Sequence, residues 1–189
     1  MKLLFFDDFK LGVVNGSNVV DVTSAVSGIK YVNPQDLIRG VIEQFSTYRK
    51  PLADAAAKGK GVPLSSVRIR PPLPKPTNID CMAVNYMEHG TRSEPAPINA
   101  FHKSPLSVIG PGDTMILPDV PATIFEGEAE LALVISKTAT NVPAAKAFDY
   151  IFGYTNFIDG SARGLGGMNA FHAMKRHGMA RTVHRDQRR

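Results

Sequence analysis

Between residues 63 and 77 the chain carries five prolines, in the run VPLSSVRIRPPLPKP. No helix and no central strand passes through such a stretch. Each proline fixes φ, lacks an N–H and pushes the residue before it out of the helical region. The run therefore separates its N-terminal flank from its C-terminal one, and reads as a domain boundary or an extended crossing segment. Both flanks are periodic, so the expected organisation is a small domain over residues 1–70 and then a larger one over 71–175.

The first flank is β-rich and then helical. KLLFF, KLGVV and NVVDV are short apolar runs, and Asn15-Gly16-Ser17 between the last two is a hairpin signal. In NPQDLIRGVIEQFSTYRK, Asn33 can cap a helix and Pro34 suits its first position. Leu37, Val41, Ile42, Phe45 and Tyr48 recur at helical spacing. PLADAAAK is expected to form a second short helix.

The second flank opens on IDCMAV, which reads as a buried strand, and then a polar loop from Asn85 to Pro97. GPGD at 110–113 makes a turn into TMILP. A glutamate-bearing strand comes next, PAAKAFDY reads as a helix, and IFGYTNFID as a strand ending at Asp159. Short strands with few helices give a mixed, strand-dominated α+β fold.

Charge excludes one function class. The formal net charge is +5, but residues 175–189 hold six Lys or Arg against Asp186, and the acids and bases of the preceding residues balance. The basicity belongs to the tail, and without interleaved aromatics or a recognisable module it predicts no specific nucleic-acid partner. No apolar run approaches the roughly 18–20 residues of a membrane span. The lone Cys81 fits a reducing, cytoplasmic setting.

The chemistry concentrates in TIFEGEAELALVIS, where Glu126, Glu128 and Glu130 alternate and in a strand would share one face. Carboxylates two residues apart on a strand have Cα atoms about 6.5–7 Å apart, and their side chains can lean onto one cation. Mg²⁺ or Mn²⁺ accepts such hard oxygen ligands, and Asp159, at another strand's end, would make a third. The competing reading is the wet face of an edge strand. His89, in NYMEHGTRSE, could move a proton with a nearby glutamate or could be a solvated loop residue. Arg163, four residues after Asp159, could bind a carboxylate bidentately or pair with an acid.

These pieces together resemble the fumarylacetoacetate hydrolase family. The shared features, in order, are an N-Y-x-x-H loop (Asn85 to His89), an F-x-K-x-P segment (Phe101 to Pro105) and GPGD. The E-x-E-L strand start (Glu128 to Leu131) and a G-Y-x-x-x-x-D-x-[ST]-x-R segment (Gly153 to Arg163) complete the series. The resemblance implies a mixed β-sandwich roll with a small N-terminal α+β domain, usually homodimeric. It also implies Mg²⁺ or Mn²⁺ (Ca²⁺ in some members) held by Glu128, Glu130 and Asp159.

The implied substrate is a small oxo-dicarboxylate: an acylpyruvate or a 2-oxo or 2-hydroxy-dienedioate. It would be hydrolysed or isomerised through a metal-stabilised enolate. His89 matches the family's catalytic histidine. The partner glutamate often lies three residues later, where this chain has Arg92, so Glu94 is the nearest later carboxylate. Lys175 matches a lysine that steadies negative charge, and Tyr86, Lys103 and Arg163, each inside a motif, are expected to bind substrate. Relatives continue for roughly another hundred residues by that resemblance. RHGMARTVHRDQRR reads instead as unrelated sequence, so 71–175 is expected to be the first half of the catalytic domain. Residues 176–189 are expected to be a disordered basic tail, and the chain a truncated or frameshifted one, with an inactive fragment as the alternative reading.

Overall fold

The computed structural model describes residues 1–85, 93–94 and 97–164. The three N-terminal apolar runs become strands β1 (Leu3–Phe6), β2 (Lys10–Asn15) and β3 (Asn18–Asp21). Asn15 pairs with Asn18, so Gly16 and Ser17 form a two-residue loop. Gly16 has φ 60° at its first central position, where a type II′ turn favours glycine.

The proline-rich stretch supplies the two edges of this sheet. Strands β4 (Val62–Pro63) and β5 (Ile69–Arg70) complete a five-stranded antiparallel sheet in the order β4-β3-β2-β1-β5. Proline cannot donate to a ladder but is tolerated at an edge, where it also discourages further pairing.

Helix α1 (Pro34–Glu43) starts as its residues dictate. The Asn33 side chain accepts from the Asp36 N–H at 3.0 Å, with Pro34 in the first turn. The helical run breaks at Gln44, and α2 (Phe45–Lys58) begins there rather than at Pro51, which lies inside it. Each helix buries its own set of apolar residues. Leu37, Ile38 and Val41 from α1, with Leu52 and Ala56 from α2, join Phe5, Leu11, Val13, Val20 and Val22 in one buried cluster.

Beyond the prolines, β6 (Ile79–Met82) and β7 (Ala100–Lys103) pair antiparallel, Ile79 opposite Lys103. Strands β8 (Ile124–Ile135) and β9 (Ile151–Arg163) form a second ribbon. Residues Ala144–Tyr150 between them wind as a 3₁₀ rather than an α-helix. Strand β9 runs on past Asp159 to Arg163, because Gly160, Ser161 and Ala162 are buried and continue the ladder. The chain divides into two compact units, one comprising 1–74, 110–113 and 127–159, the other 75–109, 114–126 and the residues from 160 on. Among the described residues the class is strand-rich α+β, and no helix is long and apolar enough to cross a membrane.

GPGD forms a closed turn in which the Asp113 carboxylate accepts from the Gly110 N–H at 2.9 Å and Gly112 takes φ 77°. Asp113 also pairs with Arg68. Partial burial pushes the Asp113 carboxyl up, but the Gly110 N–H and the Arg68 guanidinium outweigh this and hold it below the ordinary carboxylate range. A carboxyl depressed on folding stabilises above its unfolded pKa of about 3.9, and the contribution is lost as pH falls through the folded value. Urea melts are therefore expected to show Asp113→Asn less stable than wild type at pH 7, with the gap shrinking progressively below about pH 4. A gap that stays constant down to pH 2 would place the effect of the substitution elsewhere.

Candidate metal centre

Strand β8 alternates strictly along its second half: Glu128, Glu130, Ala132 and Val134 are half-buried, and Ala129, Leu131, Leu133 and Ile135 are exposed. On β9 the same rhythm half-buries Thr155 and Phe157, exposes Tyr154, Asn156 and Ile158, and buries Asp159. The Thr123 N–H donates to the Arg163 carbonyl at one end of the ribbon, and the Ser136 N–H to the Tyr150 carbonyl at the other, so the two strands run antiparallel. The two strands are hydrogen-bonded neighbours in one ribbon. Glu128, Glu130 and Asp159 converge there, each offering a carboxylate oxygen, and these atoms lie within 4.8 Å of one another.

Two of the three acids are half-buried and Asp159 is 2% exposed, which makes it among the least accessible side chains of the chain. Two like unit charges about 4 Å apart repel by about 4 kcal/mol at an effective dielectric near 20. Three such groups, one of them removed from water, are an arrangement whose repulsion a divalent cation would relieve. The donor set, all carboxylate oxygen, fits Mg²⁺ or Mn²⁺ rather than a soft or imidazole-seeking metal.

The third glutamate of the alternation goes elsewhere. Glu126 Oε2 accepts from Arg163 Nε at 2.6 Å, and both side chains are 42% exposed. Arg163, expected as a substrate ligand, thus sits on an acid from the neighbouring strand. Lys103, at the end of β7, is 5% exposed and its Nζ donates to the Gly160 carbonyl at 2.8 Å. Glu94 is exposed at a bend. Tyr86, His89 and Lys175 lie outside the described residues.

Sequence reasoning misses the Lys103–Gly160 bond, which joins residues 57 apart. Nothing local signals it, since β7 reads Ala-Phe-His-Lys and its lysine follows another polar residue. The Glu126–Arg163 pair is half legible, since the arginine's appetite for an acid is plain but its partner is not.

Residues 78–182 match the protein-family description fumarylacetoacetate (FAA) hydrolase C-terminal. The oxaloacetate tautomerase YisK of Bacillus subtilis (strain 168) is 31% identical over 169 residues, covering 81% of this chain and 56% of its own length. A maleylpyruvate hydrolase of Aquipseudomonas alcaligenes is 31% identical over 180 residues, covering 87% of this chain and 62% of its own. Among solved structures, the maleylpyruvate hydrolase from Sphingobium sp. SYK-6 in complex with manganese(II) ion and pyruvate superposes with a TM-score of 0.76. It is 32% identical, over 87% of this chain and 60% of that one. The chain spans about half the length of the curated relatives it matches.

Proposed function

The chain belongs to the fumarylacetoacetate hydrolase family, and from that membership we propose that it acts as a divalent-metal-dependent hydrolase or isomerase of small 2-oxo acids. The substrates are acylpyruvate-like acids or 2-oxo or 2-hydroxy-dienedioates. The observation that carries the reading is the convergence of Glu128, Glu130 and Asp159, from β8 and β9, with ligand oxygens within 4.8 Å of one another. It is supported by likeness to a maleylpyruvate hydrolase solved with manganese and pyruvate.

In this reading Glu128, Glu130 and Asp159 hold Mg²⁺ or Mn²⁺. What the ion supplies when bound is Lewis-acid polarisation of a 2-oxo acid's oxygens. The chain's own groups do the rest. Two glutamates on one strand and an aspartate on its neighbour fix three oxygens on rigid elements rather than loops, which limits reorganisation during the reaction. Asp159 is itself shielded from water, so it presents its carboxylate from a buried position. Arg163 is poised for a substrate carboxylate, since an exposed ion pair with Glu126 contributes at most about 1 kcal/mol and exchanges readily for a bidentate anion. His89 with Glu94 moves the proton, Lys175 steadies negative charge, and Tyr86 orients the substrate, as the family resemblance implies.

The test monitors enol–keto exchange of oxaloacetate and C–C cleavage of an acylpyruvate by ultraviolet absorbance. The expected result is turnover of at least one substrate with Mn²⁺ or Mg²⁺ that EDTA abolishes and added metal restores. Saturable metal binding without turnover of either substrate would remove the catalytic reading and leave a metal-binding chain.

A further inference from the structure

Lys103 is an anomaly in its surroundings. A lysine is almost never fully buried unless its ammonium is engaged, yet Lys103 is 5% exposed and lies at the end of a short strand. The four-carbon stem carries the charge past Phe101, whose ring centroid lies 5.8 Å from Nζ, to the Gly160 carbonyl at 2.8 Å. That carbonyl belongs to the residue directly after Asp159. It lies within the buried run of β9 from Asp159 to Ala162.

We propose that Lys103 is a positioning residue, not a substrate ligand: its ammonium clamps the Gly160 carbonyl and thereby fixes the backbone from which the Asp159 carboxylate projects. The inference rests on the metal-centre reading of Glu128, Glu130 and Asp159, and adds the side chain that holds one of those ligands in place.

A charge-assisted hydrogen bond inside a protein is roughly twice as strong as a neutral one, so a buried ammonium is a firm anchor for a backbone carbonyl. The bond to Gly160 is to main chain, so it constrains the peptide itself. The restraint acts on the ligand that a separate strand contributes, whereas Glu128 and Glu130 are already held in mutual register by sharing β8. An ammonium committed to a buried carbonyl is also poorly placed to leave for a substrate, because departure would strand both groups away from water. The Glu126–Arg163 ion pair, by contrast, is half exposed.

Two variants and two readouts test the clamp. Lys103→Met keeps the stem and removes the donor, and Lys103→Arg keeps charge and donor. Loss of a partner that orients a metal ligand typically weakens metal binding about 10–100-fold, so Lys103→Met is expected to bind Mn²⁺ that much more weakly than wild type. Lys103→Arg is expected to bind more tightly than Lys103→Met. The second readout needs no metal. In EDTA, amide hydrogen exchange across residues 159–162 is expected to quicken about tenfold or more in Lys103→Met, with β1–β3 unchanged as evidence that the fold persists.

A Lys103→Met protein that binds Mn²⁺ within about twofold of wild type, or whose 159–162 exchange is unaltered, overturns the clamp. Exchange that quickens as expected in a chain whose wild type binds no Mn²⁺ upholds the clamp and removes the metal reading instead.

Discussion

Glu130→Ala is expected to weaken Mn²⁺ binding by more than the roughly 100-fold that loss of an outer partner costs, because it deletes one of three ligands outright. Removing Glu130 leaves Glu128 and Asp159, a pair with too few fixed oxygens to hold a hard divalent ion against its own hydration shell. Turnover is expected to fall with occupancy, and raising the metal concentration restores little, since the centre has lost geometry as well as charge. Stability is expected to move the other way. In EDTA the variant melts no lower than wild type, because three carboxylates with oxygens within 4.8 Å repel and deleting one relieves that repulsion. Glu130→Gln separates charge from shape, keeping a neutral oxygen in a side chain of the same size. Its Mn²⁺ affinity is expected to lie between those of wild type and Glu130→Ala. A Glu130→Ala chain that unfolds in EDTA would instead make the glutamate a structural residue, held by hydrogen bonds it satisfies without a metal.

Phe5→Ala is expected to cost about 3–5 kcal/mol of folding free energy, the range for deleting a fully buried aromatic ring. Phe5 is 1% exposed, belongs to the cluster joining the N-terminal sheet to α1 and α2, and meets Phe9 edge-on at 5.9 Å. Against a total stability of about 5–15 kcal/mol, such a loss leaves a substantial unfolded population. Urea denaturation monitored by circular dichroism measures it. A shift under about 1 kcal/mol would mean that the sheet collapses onto the vacated volume instead of leaving a cavity.

The N-terminal sheet is legible in the sequence because its signals are local. Apolar runs, Gly16 at the hairpin, and Asn33 with Pro34 at the start of α1 each act within a few residues. The helix break at Gln44 is not, because which face of α2 is buried depends on a sheet assembled from both ends of the N-terminal region. The prolines read as a divider. The stretch around them also supplies the sheet's two edge strands, which only the pairing of β3 with β4 and of β1 with β5 reveals.

In the candidate centre, the shared face of Glu128 and Glu130 comes from period-two alternation and needs no structure. Joining them to Asp159 requires pairing between strands separated by fifteen residues, and that comes from motif resemblance rather than from spacing. Glu126 illustrates the limit of alternation. It obeys the same period as the other two glutamates, yet it pairs with Arg163 at the far end of β9. Lys103 illustrates a second limit, since its bond to Gly160 depends on tertiary placement that no local pattern encodes.

The central claim is that Glu128, Glu130 and Asp159 form one divalent-metal site. Titration of Mn²⁺ into the chain, with free Mn²⁺ counted by electron paramagnetic resonance, tests it most directly. One saturable site in wild type, lost in both Glu130→Ala and Asp159→Asn while Glu126→Gln retains it, is the predicted result. No saturable site, or one that survives both substitutions unchanged, would contradict it.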